Sequence, residues 1–156
     1  MKKTNAARIL ERLGINYSIL EFDVDEDDLS AQDAARKLGL PPDQIFKTLV
    51  ARGDKSGVII ACVPGGSELD LKALARVSGN KKVELVPLKE IRQLTGYIRG
   101  AVSPLGMKSG YCFYLDHSSF NHEVIIVSAG SRGMQISLSP HDLAGALNAE
   151  TGLLTR

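Results

Sequence analysis

Apolar and polar positions along this chain switch between a helical and a strand period at short intervals, which predicts many short elements rather than a few long ones. Ala6, Ile9, Leu10 and Leu13 form one stripe of a first helix that Thr4 can N-cap, and Gly14 stands where a left-handed C-terminal residue belongs. A strand over about residues 17–22 follows. Ser30 can cap a second helix through Ala34, Ala35 and Leu38, with Asp33 as a capping-box partner and Gly39 as the stop, and Pro41-Pro42-Asp43 then makes a turn. Residues 45–51 and 58–63 read as a hairpin joined by the turn residues 52–57. After Pro64-Gly65-Gly66, a helix over 70–78 packs Leu71, Leu74, Ala75 and Ser78 inward. A short strand near 82–86, a helix near 88–94, and strands over about 110–115, 123–128 and 133–138 precede a closing helix that begins at Pro140 and runs through Leu143, Ala146 and Leu147. No linker or repeat interrupts the series, so one domain over residues 1–156 is expected. Several connections are too short for parallel crossovers. The fold class is therefore α+β, with helices flanking a central mixed or antiparallel sheet.

Lys47 breaks this pattern. In the run Ile45-Phe46-Lys47-Thr48-Leu49-Val50-Ala51 it shares a strand face with Ile45, Leu49 and Ala51. An ammonium among apolar neighbours costs free energy unless it is paired, reaches water or faces a cleft. Two readings stay open: a site lysine, or an edge lysine whose stem lies on the apolar surface while its head reaches solvent.

Composition narrows the class. With 156 residues and 44% hydrophobic content the chain can bury a proper core. Lysine plus arginine (19) nearly balances aspartate plus glutamate (18), a net charge of +1, so the whole chain has no general DNA-binding footprint and any nucleic-acid contact is a local patch. Lys72 and Arg76 on one helix face, followed by Lys81 and Lys82, are the best such cluster; a solvated helix face is the competing reading. No apolar run approaches the ~20 residues that span a membrane. Met1-Lys2-Lys3-Thr4-Asn5 leads into an amphipathic pattern without a signal-peptide core, so a cytoplasmic location is the expectation. Cys62 and Cys112 sit in strand-like apolar runs without CxxC spacing and read as small core residues.

Two loops hold glycines that regular structure does not explain. Thr95-Gly96-Tyr97-Ile98-Arg99-Gly100-Ala101-Val102-Ser103-Pro104-Leu105-Gly106 permits positive φ and close approach of a ligand to backbone N–H groups; a compact surface loop is the alternative. Ser128-Ala129-Gly130-Ser131-Arg132-Gly133 follows an apolar strand, where polar groups meet a cleft, so Ser128 and Arg132 are candidate substrate contacts unless this is only a tight turn. Asp116-His117-Ser118-Ser119 holds triad residue types, but sequence neighbours rarely form a triad and no Gly-x-Ser-x-Gly elbow accompanies them. His117 and His122 do not share a helical or strand face, which argues against a metal pair. Neither a P-loop nor a dinucleotide fingerprint is present, and the acidic run Asp23, Asp25, Glu26, Asp27, Asp28 lacks a calcium-loop pattern. No metal or cofactor is called for.

Taken together, Phe46-Lys47-Thr48-Leu49, the Leu71-Lys72 helix leading to Lys81-Lys82-Val83-Glu84, the Gly96 to Gly106 loop and the Ser128 to Gly133 loop resemble, in the same order, the YbaK/EbsC proteins, relatives of the editing insertion domain of bacterial prolyl-tRNA synthetase. The resemblance runs from about Ala6 to Leu147 and implies that superfamily's partly barrel-like editing fold. It further implies hydrolysis of the ester on a mischarged tRNA, foremost Cys-tRNA(Pro), in the cytoplasm, with prolyl-tRNA synthetase as a conceivable partner. By the resemblance Lys47 matches the essential lysine, Gly100-Ala101-Val102-Ser103-Pro104 the Gly-x-x-x-Pro loop around the ester, and Ser128 a pocket serine, with Gly130 and Arg132 beside it. Lys72, Arg76, Lys81 and Lys82 become candidates for the acceptor-stem phosphates.

Three departures bear on specificity. Phe22 stands where the YbaK subgroup has a tyrosine, Gln135 where it has an aspartate, and its phenylalanine before the second helix falls near Leu29 or Ser30 without a clear match. Such swaps can redirect a pocket to alanine, serine or threonine. A non-catalytic module that binds tRNA or a synthetase is the alternative from another class.

Overall fold

Short polar side chains start four of the helices, for the first two as the pattern predicts. In the computed structural model, which describes residues 3–108 and 110–156, α1 (Asn5–Arg12) is capped by Thr4, whose hydroxyl accepts from the Ala7 N–H at 3.3 Å. Ser30 caps α2 (Ala31–Leu38) by accepting from the Asp33 N–H at 3.1 Å, and Gly39 ends it at φ 69°. Asp70 caps α3 (Leu71–Ser78), and Ser139 caps α5 (Pro140–Leu147). Met1 and Lys2, with which the expected leaderless amino-terminal stretch begins, lie outside the described residues.

Several expectations are corrected. Leu13 is 55% exposed, because α1 stops at Arg12 and leaves it as the cap, off the buried stripe. Asp33 makes no capping box; its carboxylate pairs with Arg36 and with Lys37 at 3.1 Å, and these cations hold it below the usual carboxylate range. In α3 the buried set is Ala73, Leu74 and Ala75, while Leu71 is half-buried and the Ser78 hydroxyl donates to the Leu74 carbonyl at 2.7 Å. Cys112 is exposed where Cys62 is buried, because it opens its strand.

The sheet is divided. β1 (Ser18–Glu21), β7 (Met134–Leu138) and β6 (Ile125–Ser128) form an antiparallel three-stranded sheet in that order. β4 (Val83–Leu85), β2 (Phe46–Gly53), β3 (Gly57–Pro64), β5 (Cys112–Asp116) and β8 (Glu150–Gly152) form a five-stranded one. The predicted hairpin is β2–β3, in register from Phe46↔Pro64 to Gly53↔Gly57. β3–β5 and β5–β8 are parallel, each reached by a long connection: the first carries α3, β4, a 3-10 turn at Leu88–Glu90 and α4 (Ile91–Thr95). β8 and the 3-10 turn His117–Asn121 give no periodic signal in sequence.

One core, with Leu10, Phe46, Leu105, Leu115, Ile125, Ile136 and Leu143, joins the small sheet to the large one. A second, with Ala51, Ile59, Val63, Leu74 and Leu154, lies under α3 on the other face. The sheets touch directly at one parallel bridge, Ile45↔Ile126, where the Ile126 N–H donates to the Gln44 carbonyl at 3.0 Å. Beyond it β2 and β6 separate, and a cleft opens between them.

Candidate active site

The cleft, of about 330 Å³, is walled by Phe46, Lys47 and Thr48 of β2, by Ser128 and Gln135 of the small sheet, by the first turn of α2, and by Gly100 and Val102. That volume suits a small acyl group and part of what carries it. Ala31 and Gln32 border it from the start of α2, where backbone N–H groups without intrahelical acceptors favour negative charge.

Lys47 is half-buried and, among the described residues, has no ion-pair partner within 4.0 Å. Burial pushes its ammonium below the ordinary 10.5, with the field of Glu68 opposing the change. The edge alternative applies in geometry, since β4 covers β2 only over Ala51 to Gly53, but the open edge at Lys47 faces the cleft. A cation held out of bulk water and left unpaired stabilises negative charge that develops beside it.

The two glycine loops interlock to form the opposite wall. Gly100 has φ 81°, and a Cβ there would lie 2.9 Å from Leu29 Cβ. A Cβ on Gly130 would meet Tyr97 Cε1 at 2.8 Å, while the Tyr97 hydroxyl donates to the Leu105 carbonyl. Arg132 Nε–H donates to the Arg99 carbonyl at 3.0 Å, tying the second loop to the first. The Ser128 hydroxyl accepts from the Gly130 N–H at 3.1 Å and keeps its own proton to donate.

Of the residues singled out in sequence, Phe22, Lys47, Gly100, Val102, Ser128, Arg132 and Gln135 line the cleft. Ala101, Ser103 and Pro104 are buried behind it: the Ala101 N–H is committed to the Ile98 carbonyl at 3.0 Å, the Ser103 hydroxyl accepts from the Leu105 N–H at 3.2 Å, and Pro104 borders a separate apolar recess. Gly130 packs on Tyr97 and takes no part in the lining. Lys72 and Arg76 are exposed along α3. Lys81 and Lys82 sit at the hairpin tip, their N–H groups bonded to Asp54 at 2.9 and 3.0 Å, about 20 Å along β2 from Lys47 by strand rise. Lys82 is also paired with Glu84 at 3.0 Å.

Thr48, Gly65 and Asp28 line the cleft without having been singled out. Gly65 carried a readable signal in Pro64-Gly65-Gly66: a Cβ there would lie 2.7 Å from Ala31 Cβ, so glycine lets α2 approach the sheet. The lining contains no histidine and no cysteine. Cys62 lies nearby, but burial pushes its thiol up to about 12, which keeps it protonated and inert. Asp116 and Ser118 bond to each other away from the lining and form no triad. Among the described residues no group of His, Cys, Asp and Glu could hold a metal, and no helix is long and apolar enough to cross a membrane.

Fold and cleft together define an α+β protein whose site offers a cation, hydroxyls and backbone donors around an acyl-sized space, with no histidine or cysteine in its lining. Comparison with known proteins gives the family. The model of the aminoacyl-tRNA editing domain matches residues 25–146, and the chain belongs to that family. It is 47% identical over 154 residues, 99% of this chain and 94% of the relative, to the Enterococcus faecalis protein named "Putative Cys-tRNA(Pro)/Cys-tRNA(Cys) deacylase EbsC". A proline–tRNA ligase of Desulforamulus reducens is 28% identical over 107 residues, 66% of this chain and 19% of the ligase. Among solved structures, a "putative trans-editing enzyme for prolyl tRNA synthetase" superposes with a TM-score of 0.84 at 26% identity, covering 99% of each chain.

Proposed function

We propose that this protein is a trans-editing aminoacyl-tRNA deacylase, acting as one editing domain on the ester of a mischarged tRNA, with Cys-tRNA(Pro) the leading substrate. The observation that carries the reading is the convergence of Lys47, the Gly100 loop and Ser128 on one cleft whose lining holds no histidine or cysteine, in a chain 47% identical to the E. faecalis relative.

In this reading the ester carbonyl lies between the Lys47 ammonium and the loop N–H groups. Those of Gly100 and Val102 have no acceptor among the described residues, whereas that of Ala101 is already used. Negative charge on the carbonyl oxygen is then met by fixed donors. The nucleophile comes from outside the protein. With a cysteinyl ester the substrate thiol adds to its own carbonyl, the ribose oxygen leaves with the thiol proton, and water opens the resulting thiolactone. Other esters are attacked by a water molecule. Phe22 and Gln135, which depart from the YbaK subgroup, both border the cleft and so bear on which side chain is accepted. Lys72 and Arg76 serve as contacts to acceptor-stem phosphates, with Lys81 and Lys82 at the far end of the same surface. A synthetase partner would supply tRNA choice.

Deacylation of cysteinyl, alanyl, seryl and prolyl esters on proline tRNA, with wild type and Lys47→Ala, tests this. Rapid loss of cysteine, abolished by the substitution, is expected. Preference for another ester reassigns the pocket, and tRNA binding without hydrolysis of any ester overturns the reading in favour of a binding module.

A further inference from the structure

One wall of the cleft is an unpaired strand edge. Along β2 the main-chain groups of odd-numbered residues serve β3, as where the Ile45 carbonyl accepts from the Gly65 N–H at 2.6 Å. Even-numbered residues face the other way: the Gln44 carbonyl accepts from the Ile126 N–H of the small sheet, and the Val50 carbonyl from the Val86 N–H, each at 3.0 Å. Between these two, the Phe46 carbonyl and the Thr48 N–H enter no bridge among the described residues, because β4 reaches β2 only at Ala51 to Gly53 and the small sheet meets it only at Ile45↔Ile126. Phe46, Lys47 and Thr48 all line the cleft, which places this edge against it.

On β6 the same alternation holds. The Ala129 N–H is bonded to the Met134 carbonyl of β7, so the main chain of Ser128 is turned toward β2, yet no bridge links it to Lys47. In a parallel bridge one residue donates its N–H to the carbonyl before its partner and accepts from the N–H after it. Ile126 stands in that relation to Ile45. One step further along β2, the same acceptor and donor flank Lys47 and form no bridge.

Building on the deacylase reading, we propose that the aminoacyl residue of the substrate completes this ladder as a one-residue parallel strand on Lys47, its α-ammonium donating to the Phe46 carbonyl and its ester carbonyl accepting from the Thr48 N–H. The carbonyl oxygen keeps a second lone pair for the Gly100 loop. Recognition of this kind reads the ammonium and the ester, which every aminoacyl group has, and leaves side-chain choice to Phe22, Leu29 and Gln135. It also sets Lys47 directly across from the reacting carbon, which accounts for a lysine at that strand position.

The test uses whole protein made with the Thr48 amide replaced by a backbone ester, which removes one N–H and retains the side chain. Wild-type enzyme is assayed in parallel on its preferred aminoacyl-tRNA and on the N-acetylated form of the same tRNA, so that one arm does not depend on folding of the altered protein. The expected results are a loss of about ten-fold in kcat with little change in KM for the backbone ester, at an unchanged melting profile, and a loss of at least about ten-fold for the acetylated substrate. An unaltered rate in either arm, with wild type active, overturns this contact scheme alone. Wild type inactive on every free-amine ester overturns the scheme and the deacylase reading together.

Discussion

The carboxyl-terminal strap and the β2–β6 cleft handle buried polar groups in opposite ways. At the strap, Asp116 is 2% exposed and fully engaged: Oδ1 accepts from the Leu154 N–H at 2.8 Å, and Oδ2 from the N–H and the hydroxyl of Ser118. The Leu154 carbonyl in turn accepts from the Asp70 N–H at 2.7 Å, so one carboxylate pins the chain end to the start of α3. In the cleft, a lysine is desolvated without a counter-ion and a strand edge is left open. Satisfied groups hold a fold; unsatisfied groups, kept in place by packing around them, are stored for a ligand. The triad residue types thus bond to each other away from the cleft, and an isolated lysine lines it.

Substitutions on the two sides should separate stability from rate. The largest effect is expected from Lys47→Ala, with a loss of about a hundred-fold or more in kcat/KM, the scale on which a pre-set charge at a developing oxyanion acts, and a melting temperature unchanged or slightly raised as an unpaired, half-buried cation is removed. Asp116→Ala should do the reverse. It leaves three donors without their acceptor and costs about 2–3 kcal/mol in denaturant unfolding, with the rate per folded molecule preserved. Gly100→Ala lies on the border between the two: the positive φ and the 2.9 Å approach to Leu29 predict about 1–2 kcal/mol of strain, together with a measurable fall in kcat as the loop shifts.

The smallest and most diagnostic effect is the pH response of Lys47. Burial lowers its proton affinity in the folded state below that of the unfolded chain, near 10.5. Between the lowered value and 10.5 the unfolded chain holds more proton, so this group makes stability rise with pH across that window. Enzymatic deacylation, measured above spontaneous ester hydrolysis, should fall across the same window as the ammonium is lost. Parallel trends would break the assignment of the charge to catalysis.

Much of this was legible from residue types. Thr4 and Ser30 cap where the pattern places them, and Lys47 was visible because a period-2 strand makes a charge in an apolar run conspicuous. What could not be read depends on contacts distant in sequence. β8 is too short to show a period and exists because Tyr114, Leu115 and Asp116 offer it an edge. The division into two sheets follows from the single bridge at Ile45, which no local pattern encodes. Within the Gly-x-x-x-Pro loop, sequence could not tell that Gly100 and Val102 line the cleft while Ala101, Ser103 and Pro104 are buried.

The most direct test of the central claim, that the Lys47 ammonium drives the chemistry, is single-turnover deacylation of Cys-tRNA(Pro) at saturating enzyme, comparing wild type with Lys47→Met at matched folded fraction. The account predicts a single-turnover rate at least about a hundred-fold lower for the variant, with tRNA binding kept within a few-fold. Equal rates for the two proteins would contradict it.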